Sequence, residues 1–367
     1  LIVPARLWRI GSEGECSDKG RIAFAAMALV TDKVRWGLLS TAWINVAMVG
    51  PMQRSGRSRL AAVASRGLEK AEAYAAANRI PRAYGSYQEL VEDPEIDAIY
   101  NPLPNTLHAD WTIRAARAGK HVMCEKPLVT TLEDLQAVEA AARENKVTIF
   151  EAFSFLHHPQ IQTIKRIMAE GRLGEVELVT CWDAFCLPPE DRGNIRLQPE
   201  LAGGGLWDVG VYPNAFAIAL AGGTPPSEVW AQQTLGPTGV DLTLIAQMRF
   251  PNRMVAQISC GMQSPPRRGA QIIGTRGMLT VMDHLSGADW PGDPPKEGRL
   301  TFTGTDRGQE TIRIPAVDSY EAEVRAMEAC ILDGAVPVVS LDLSRALLRS
   351  VLALYQSART GKTVALS

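Results

Sequence analysis

The stretch His121-Val122-Met123-Cys124-Glu125-Lys126-Pro127-Leu128 decides how the chain is read. Val122 to Cys124 form a short apolar run with the character of a buried strand. Lys126 and Pro127 end it, and Thr130 or Thr131 opens a helix. In an open parallel sheet, ligands bind at the carboxyl ends of strands. Lys126 therefore stands at the mouth of a binding crevice, beside an acid able to pair with it. An X–Pro bond adopts cis at a cost of about 0.5–1 kcal/mol, and a cis bond here would aim the lysine sharply out of the strand. On this stretch alone, an ordinary surface Lys-Pro turn fits as well.

Working outward, strands alternate with helices. Strand patterns cover Val34 to Leu39, Arg59 to Ala64, Ile96 to Asn101 and Val147 to Ala152. Helical patterns follow Ser40-Thr41-Ala42 and cover Leu68 to Asn78, Tyr87 to Glu92, Leu107 to Ala118 and Leu132 to Glu144. Strand-helix alternation with short links demands a parallel sheet with helices on both faces. Residues 34–155 are thus expected to form a doubly wound α/β domain. After His157 the pattern changes. A helix from Pro159 to Glu170 precedes runs of strand character between Val176 and Ile314, joined by turns such as Pro251-Asn252 and Thr275-Arg276-Gly277. Two helices, Ser319 to Ile331 and Leu341 to Thr360, close the chain. Residues 156–367 are expected to form an α+β domain built on a large, mainly antiparallel sheet, with a surface loop over 287–298.

Residues 1–33 stand apart. Ile22 to Val30 is apolar and follows Lys19 and Arg21, as a signal-peptide core does. No clear cleavage site separates it from the strand at Val34, so an arm on the body or an extension from an upstream start codon is the preferred reading. A formal net charge of -2 gives no electrostatic footprint for nucleic acid or an anionic membrane. No apolar run approaches the roughly 20 residues of a membrane helix. The six cysteines are scattered without a CxxC pair, which argues against metal or disulfide roles and for a reducing cytoplasm.

A helix N-terminus after the first strand is a ready anion site. The glycine fingerprint expected there is replaced by Ser40-Thr41-Ala42-Trp43-Ile44-Asn45, with none of its three glycines. Small residues in the first two places hinder a pyrophosphate without forbidding it. At the end of the second strand, where an Asp or Glu would hold a ribose 2′-hydroxyl, the chain carries Ser65-Arg66. A guanidinium beside a hydroxyl suits a 2′-phosphate, so NADP is favoured over NAD. A surface-turn role for Arg66 is the alternative.

Several motifs resemble one family. Ile99-Tyr100-Asn101-Pro102-Leu103-Pro104-Asn105 with His108, then Gly119-Lys120-His121 and Glu125-Lys126-Pro127, are followed by Asn194-Ile195-Arg196 and by Gly203-Gly204-Gly205-Leu206-Trp207-Asp208-Val209-Gly210-Val211-Tyr212-Pro213. In this order they are similar to the glucose–fructose oxidoreductase, inositol dehydrogenase and rhizopine-catabolism (Gfo/Idh/MocA) oxidoreductases, from about Val34 onward. The resemblance implies a Rossmann domain plus an open-faced antiparallel sheet, with a Lys-Pro peptide that is often cis in relatives. Tyrosine at the Tyr212 position resembles the branch of NADP-dependent xylose dehydrogenases, dihydrodiol dehydrogenases, glucose–fructose oxidoreductase and deoxysugar ketoreductases; inositol dehydrogenases carry histidine there. The first turn departs from the family, where relatives commonly keep at least one glycine.

The implied reaction moves a hydride between a nicotinamide and a sugar or related cyclic polyol, interconverting CH–OH and C=O. The protein must handle the proton. Tyr212 is the candidate acid/base, Lys126 its electrostatic helper, lowering the phenol's pKa and binding the substrate oxygen, or itself the proton carrier. Asp208, one helical turn before Tyr212, would fix Lys126 or a substrate hydroxyl; an N-cap of the helix starting near Val211 is its structural alternative. Arg192, Asn194 and Arg196 are candidate substrate-hydroxyl binders. The cofactor set is Ser40, Thr41, Ala42, Trp43, Ile44, Ser65, Arg66, Asn101, Pro102, Leu103, Asn105, His108, Glu125 and Lys126. His157 and His158 lack a third ligand, so no metal is expected. By analogy with relatives, the second sheet is expected to pair subunits into a homodimer or homotetramer. The competing function is a non-catalytic nucleotide-binding sensor on the same fold, for which the degraded glycine turn gives footing and Lys126 with Tyr212 does not.

Overall fold

The computed structural model describes residues 33–188, 191, 193–281 and 293–366. The expectations for residues 1–32, for Arg192 and for 287–292 fall outside these. The first sheet has six parallel strands in the order β3-β2-β1-β4-β5-β6, where β1 is Val34–Leu39, β2 Ser58–Ala64, β3 Arg82–Tyr84, β4 Ala98–Asn101, β5 His121–Glu125 and β6 Ile149–Ala152. The strand order reverses between β1 and β4, which places a crevice outside their carboxyl ends. Helices α1 (Asn45–Arg54), α2 (Leu68–Asn78), α3 (Tyr87–Glu92), α4 (His108–Arg117) and α5 (Leu132–Asn145) make the crossovers. Local chemistry sets their starts: the Thr131 hydroxyl accepts the Asp134 N–H at 3.1 Å, capping α5. β3 has only three half-buried residues, too few for a periodic signal.

The second sheet has nine strands in the order β14-β13-β12-β11-β7-β10-β9-β8-β15. These are β7 (Val176–Cys186), β8 (Glu228–Leu235), β9 (Asp241–Arg249), β10 (Val255–Gly261), β11 (Gln263–Gly274), β12 (Gly277–Val281), β13 (Gly298–Gly304), β14 (Gln309–Ile314) and β15 (Val364–Ala365). Every pairing is antiparallel except β7 with β10. Alternation along β9, with Leu244, Ala246 and Met248 buried and Thr243, Ile245 and Gln247 exposed, gives one covered face and one open face. Helices α6 (Pro159–Ala169), α7 (Val211–Leu220) and α9 (Leu341–Thr360) contribute to the large core that includes the covered face. Helix α8 (Ser319–Asp333) instead crosses to the first sheet, where Val324 and Met327 pack with Trp36, Met48 and Met52. No helix among the described residues is long and apolar enough to cross a membrane.

Candidate active site

The crevice holds a cavity of about 260 Å³ between the carboxyl ends of the first sheet and the covered face of the second. After β1 the chain turns at Ser40, which adopts φ 88°, a conformation that normally favours glycine. The Ser40 hydroxyl accepts the Ala42 N–H at 3.2 Å, and the Asn45 amide donates to the Ser40 carbonyl at 2.9 Å. The serine thus supplies locally the ties that let it stand in a glycine's place. Of the expected first-turn residues, Trp43 and Ile44 line the cavity. Ser65 and Arg66 follow β2 beside this turn; Ser65 is buried and Arg66 exposed.

At the end of β4 the side chains divide their work. Pro102, Leu103, Asn105 and His108 line the cavity. Asn101 is fully buried, and its amide donates to Thr112 Oγ1 at 3.1 Å and to the His108 carbonyl at 3.2 Å. It braces the loop into α4 rather than reaching into the crevice, so the expected direct contact of its side chain with a cofactor does not fit. His108 ties two turns together: its Nδ1 lies 2.7 Å from the Pro127 carbonyl and its Nε2 2.6 Å from that of Leu103. Burial pushes its pKa down to about 4 against these two carbonyls. The Asn105 amide donates across the mouth of the crevice to the Ala202 carbonyl at 3.0 Å.

Lys126 follows β5, and its peptide bond to Pro127 is cis. Its ammonium donates to the Asp208 carbonyl at 2.7 Å and lies 3.3 Å from Asp208 Oδ1. Arg196 Nε donates to the other Asp208 oxygen at 2.6 Å. Burial alone would raise the Asp208 carboxyl; the two cations outweigh it and hold it below its usual value. This clamp replaces the N-cap role considered for Asp208. The helix begins earlier than Val211, in a π-helical turn over Leu206–Gly210, and Gly210 stands at the cap position of α7. Glu125 Oε1 accepts the Tyr100 hydroxyl at 2.6 Å; burial raises its carboxyl, with Lys126 opposing. Beneath the same turn, the buried Glu151 accepts the Leu128 N–H at 2.9 Å. Burial pushes Glu151 up to about 7, against that N–H and Lys126.

Tyr212 stands on α7 with its ring edge-on to Phe153 and Phe155, each 6.0 Å away between centroids. Lys126 Nζ lies 5.0 Å from the centre of the same ring. The phenol is not brought toward ionisation. Burial, then Glu125, Asp208 and Asp183, push its pKa well above the usual value, opposed by Arg268. The expectation that Lys126 lowers it is corrected: the ammonium lies over the ring and is tied to Asp208. Of the polar loop, Arg196 reaches the cavity, whereas Asn194 does not line it. Asn194 instead donates to Asp191 at 2.7 Å and accepts the Arg196 N–H at 3.0 Å, shaping the turn.

Four cavity residues of obvious chemistry escaped the sequence reading: Ser154, Asp183, Arg268 and Tyr320. Asp183 carried a usable signal, an acid amid the apolar run of β7. A dinucleotide fits the crevice. It opens where the sheet order reverses, the first turn of α1 carries no acidic residue, and no carboxylate stands at Ser65-Arg66 to repel a 2′-phosphate. Among the described residues no group of His, Cys, Asp or Glu could hold a metal ion.

Comparison with known proteins adds to this geometry. Residues 34–153 match the GFO/IDH/MocA model described as an oxidoreductase family with an NAD-binding Rossmann fold, and residues 161–280 match the GFO/IDH/MocA C-terminal domain. The chain is 35% identical over 332 residues to D-xylose 1-dehydrogenase (NADP(+)) 2 of Haloferax volcanii, covering 90% of this chain and 99% of that one. Its structure is similar to that of the 3-ketoreductase KijD10 from Actinomadura kijaniata in complex with NADP and TDP-benzene, with a TM-score of 0.78 and 29% identity over 90% of this chain and 98% of that one. It is also similar to an aldose-aldose oxidoreductase from Caulobacter crescentus complexed with glycerol, with a TM-score of 0.82 and 26% identity over 91% and 100% of the two chains.

Proposed function

The chain belongs to the Gfo/Idh/MocA oxidoreductases, and from that premise we propose that Lys126, Asp208 and Tyr212 interconvert a CH–OH group and a carbonyl on its substrate. The protein is an NADP-linked oxidoreductase that moves a hydride between the nicotinamide and a sugar or related cyclic polyol. The observation that carries the residue assignment is the meeting of an ammonium from the first sheet with a phenol and a carboxylate from α7 and its preceding turn, all lining one cavity.

Bound NADP supplies the hydride donor or acceptor; every other requirement falls to this chain. The turn Ser40 to Ile44 and the start of α1 would hold the phosphates, Arg66 with Ser65 the 2′-phosphate, and Pro102, Leu103, Asn105 and Glu125 the nicotinamide end. Asp208 takes two contacts from the Lys126 ammonium and leaves it a third N–H for the substrate oxygen. A positive charge at that oxygen stabilises the negative charge that grows there during reduction. Tyr212 is held as the neutral phenol. It therefore gives its proton to the carbonyl oxygen in the reductive direction, and oxidation first requires its deprotonation. Arg196 serves this site by fixing Asp208.

The test is purified protein mixed with NADP+ and a panel of aldoses and cyclic polyols, followed at the reduced-nicotinamide absorbance band. Turnover with at least one of them is expected. Tight nucleotide binding without turnover across the panel would favour the sensor, a reading that the retention of Lys126 and Tyr212 speaks against. The open face of the second sheet carries the exposed Ile245 and the half-buried Trp182 and Trp230, and a second copy is proposed to cover it.

A further inference from the structure

The floor of the cavity is made by two adjacent strands. Asp183 on β7 and Arg268 on β11 are direct cross-strand partners, and Arg268 Nε donates to Asp183 Oδ1 at 2.9 Å. Both line the cavity with Tyr212. Asp183 is only 3% exposed, so its charge depends on the guanidinium beside it. The remaining charged groups lining the cavity are also engaged. Lys126 and Arg196 share Asp208, and Glu125 is held by the Tyr100 hydroxyl. Among the described lining residues three cations, Lys126, Arg196 and Arg268, stand against three carboxylates, Glu125, Asp183 and Asp208.

Resting on the oxidoreductase reading above, we propose that the Asp183–Arg268 pair selects an uncharged, hydroxyl-rich substrate of monosaccharide size and disfavours sugar phosphates, sugar acids and nucleotide-linked sugars. An anionic group here competes with Asp183 and Asp208 for cations that those buried carboxylates already engage. It also meets the three carboxylates at close range. A neutral hydroxyl meets neither obstacle, because it donates to carboxylate oxygens and accepts from guanidinium N–H groups without separating the pair. A relative of similar fold was solved with TDP-benzene, so the fold itself does not impose this choice.

The experiment compares neutral hexoses and pentoses with hexose 6-phosphates, the matching uronic acids and a dTDP-linked hexose. Binding to the protein–NADP complex is measured by calorimetry and turnover by nicotinamide absorbance. Neutral ligands are expected to bind at least about tenfold more tightly than their anionic counterparts, a difference of about 1.4 kcal/mol. Asp183→Asn, which leaves Arg268 uncompensated, is expected to move that ratio about tenfold toward the anions. Arg268→Gln, which leaves Asp183 uncompensated, is expected to move it the other way, and it carries the test if the first variant does not fold. Preferential binding of a phosphate, carboxylate or nucleotide sugar by the wild type, or an unchanged ratio in a folded variant, overturns the proposal. Neutral preference in binding with no turnover of any ligand would sustain this proposal and sink the redox assignment.

Discussion

Lys126 Nζ lies 5.0 Å from the centre of the Tyr212 ring while donating to the Asp208 carbonyl at 2.7 Å. The ammonium meets the negative face of the π system, a favourable contact that holds the two side chains together. On the proposed reading the two residues divide the chemistry, Lys126 binding the substrate oxygen and Tyr212 giving the proton.

Tyr212→Phe keeps the ring and its contact with Lys126 and deletes the hydroxyl. Turnover is expected to fall by about two to four orders of magnitude, with the NADP dissociation constant changed by less than about twofold. Steady-state kinetics and fluorescence titration with NADPH read the two quantities. Because burial and three carboxylates keep the wild-type phenol protonated, kcat/KM for reduction is expected to be level from about pH 6 to 9 and that for oxidation to rise with pH. A falling oxidative limb would remove Tyr212 as the group that must lose a proton.

Asp208→Asn retains the shape of the side chain and loses the charge that Lys126 and Arg196 share. Turnover is expected to drop by about one to two orders of magnitude, less than in Lys126→Ala, since the Asp208 carbonyl still holds the ammonium. Equal losses in the two variants, measured side by side, would mean that Asp208 touches the substrate itself.

Arg66→Ala removes the one guanidinium in the Ser65-Arg66 pair. NADP affinity is expected to weaken about tenfold or more, the scale of one charge-assisted phosphate contact, with NAD affinity little changed. Parallel titrations with the two nucleotides decide it; equal weakening would show that Arg66 supports the turn only.

Glu151 gives a pH signature in stability. Its carboxyl sits at about 7 in the folded protein against an ordinary 4.5. Its stabilising contribution is therefore complete below about pH 4.5 and is lost as pH rises through about 7, since the unfolded chain ionises more readily. The full swing corresponds to about 3 kcal/mol as an upper bound. Glu151→Gln keeps an acceptor for the Leu128 N–H and removes the ionisation. Denaturant unfolding at about pH 5 and pH 8 is expected to show the variant gaining on the wild type at the higher pH. A pH-independent difference between the two would place Glu151 outside this accounting.

The sequence made β5 legible because a buried parallel strand is a continuous apolar run, and it placed Lys126 at the strand's end. It also placed Tyr212 on a helix, because the stretch from Val211 onward is apolar and its one proline, Pro213, falls in the expected first turn, where proline is tolerated. Spacing alone says which residues are neighbours along an element, not which way each side chain turns, so it does not show that Lys126 lies over the Tyr212 ring. Arg268 was invisible for a different reason. It comes just after Pro265 and Pro266, residues that disfavour the interior of a sheet, yet β11 runs through them with a register shift between Gln263 and Arg267. Only the pairing with β7 fixes where that arginine points. Asn101 and Asn194 looked like ligand binders because exposed polar residues and buried braces share the same letters.

The parallel pairing of β7 with β10 bears on how the molecule is made. Leu178 must wait for Val255, and Asp183 for Arg268, before either has its neighbour. During synthesis the first half can finish its own sheet while β7 hangs behind it with both edges open. A chain cut short before β10 would keep the first sheet but lack α8 over its Trp36–Met48–Met52 core, and β7 would be bare, so truncated products of this protein are expected to clump rather than to persist as free cofactor binders.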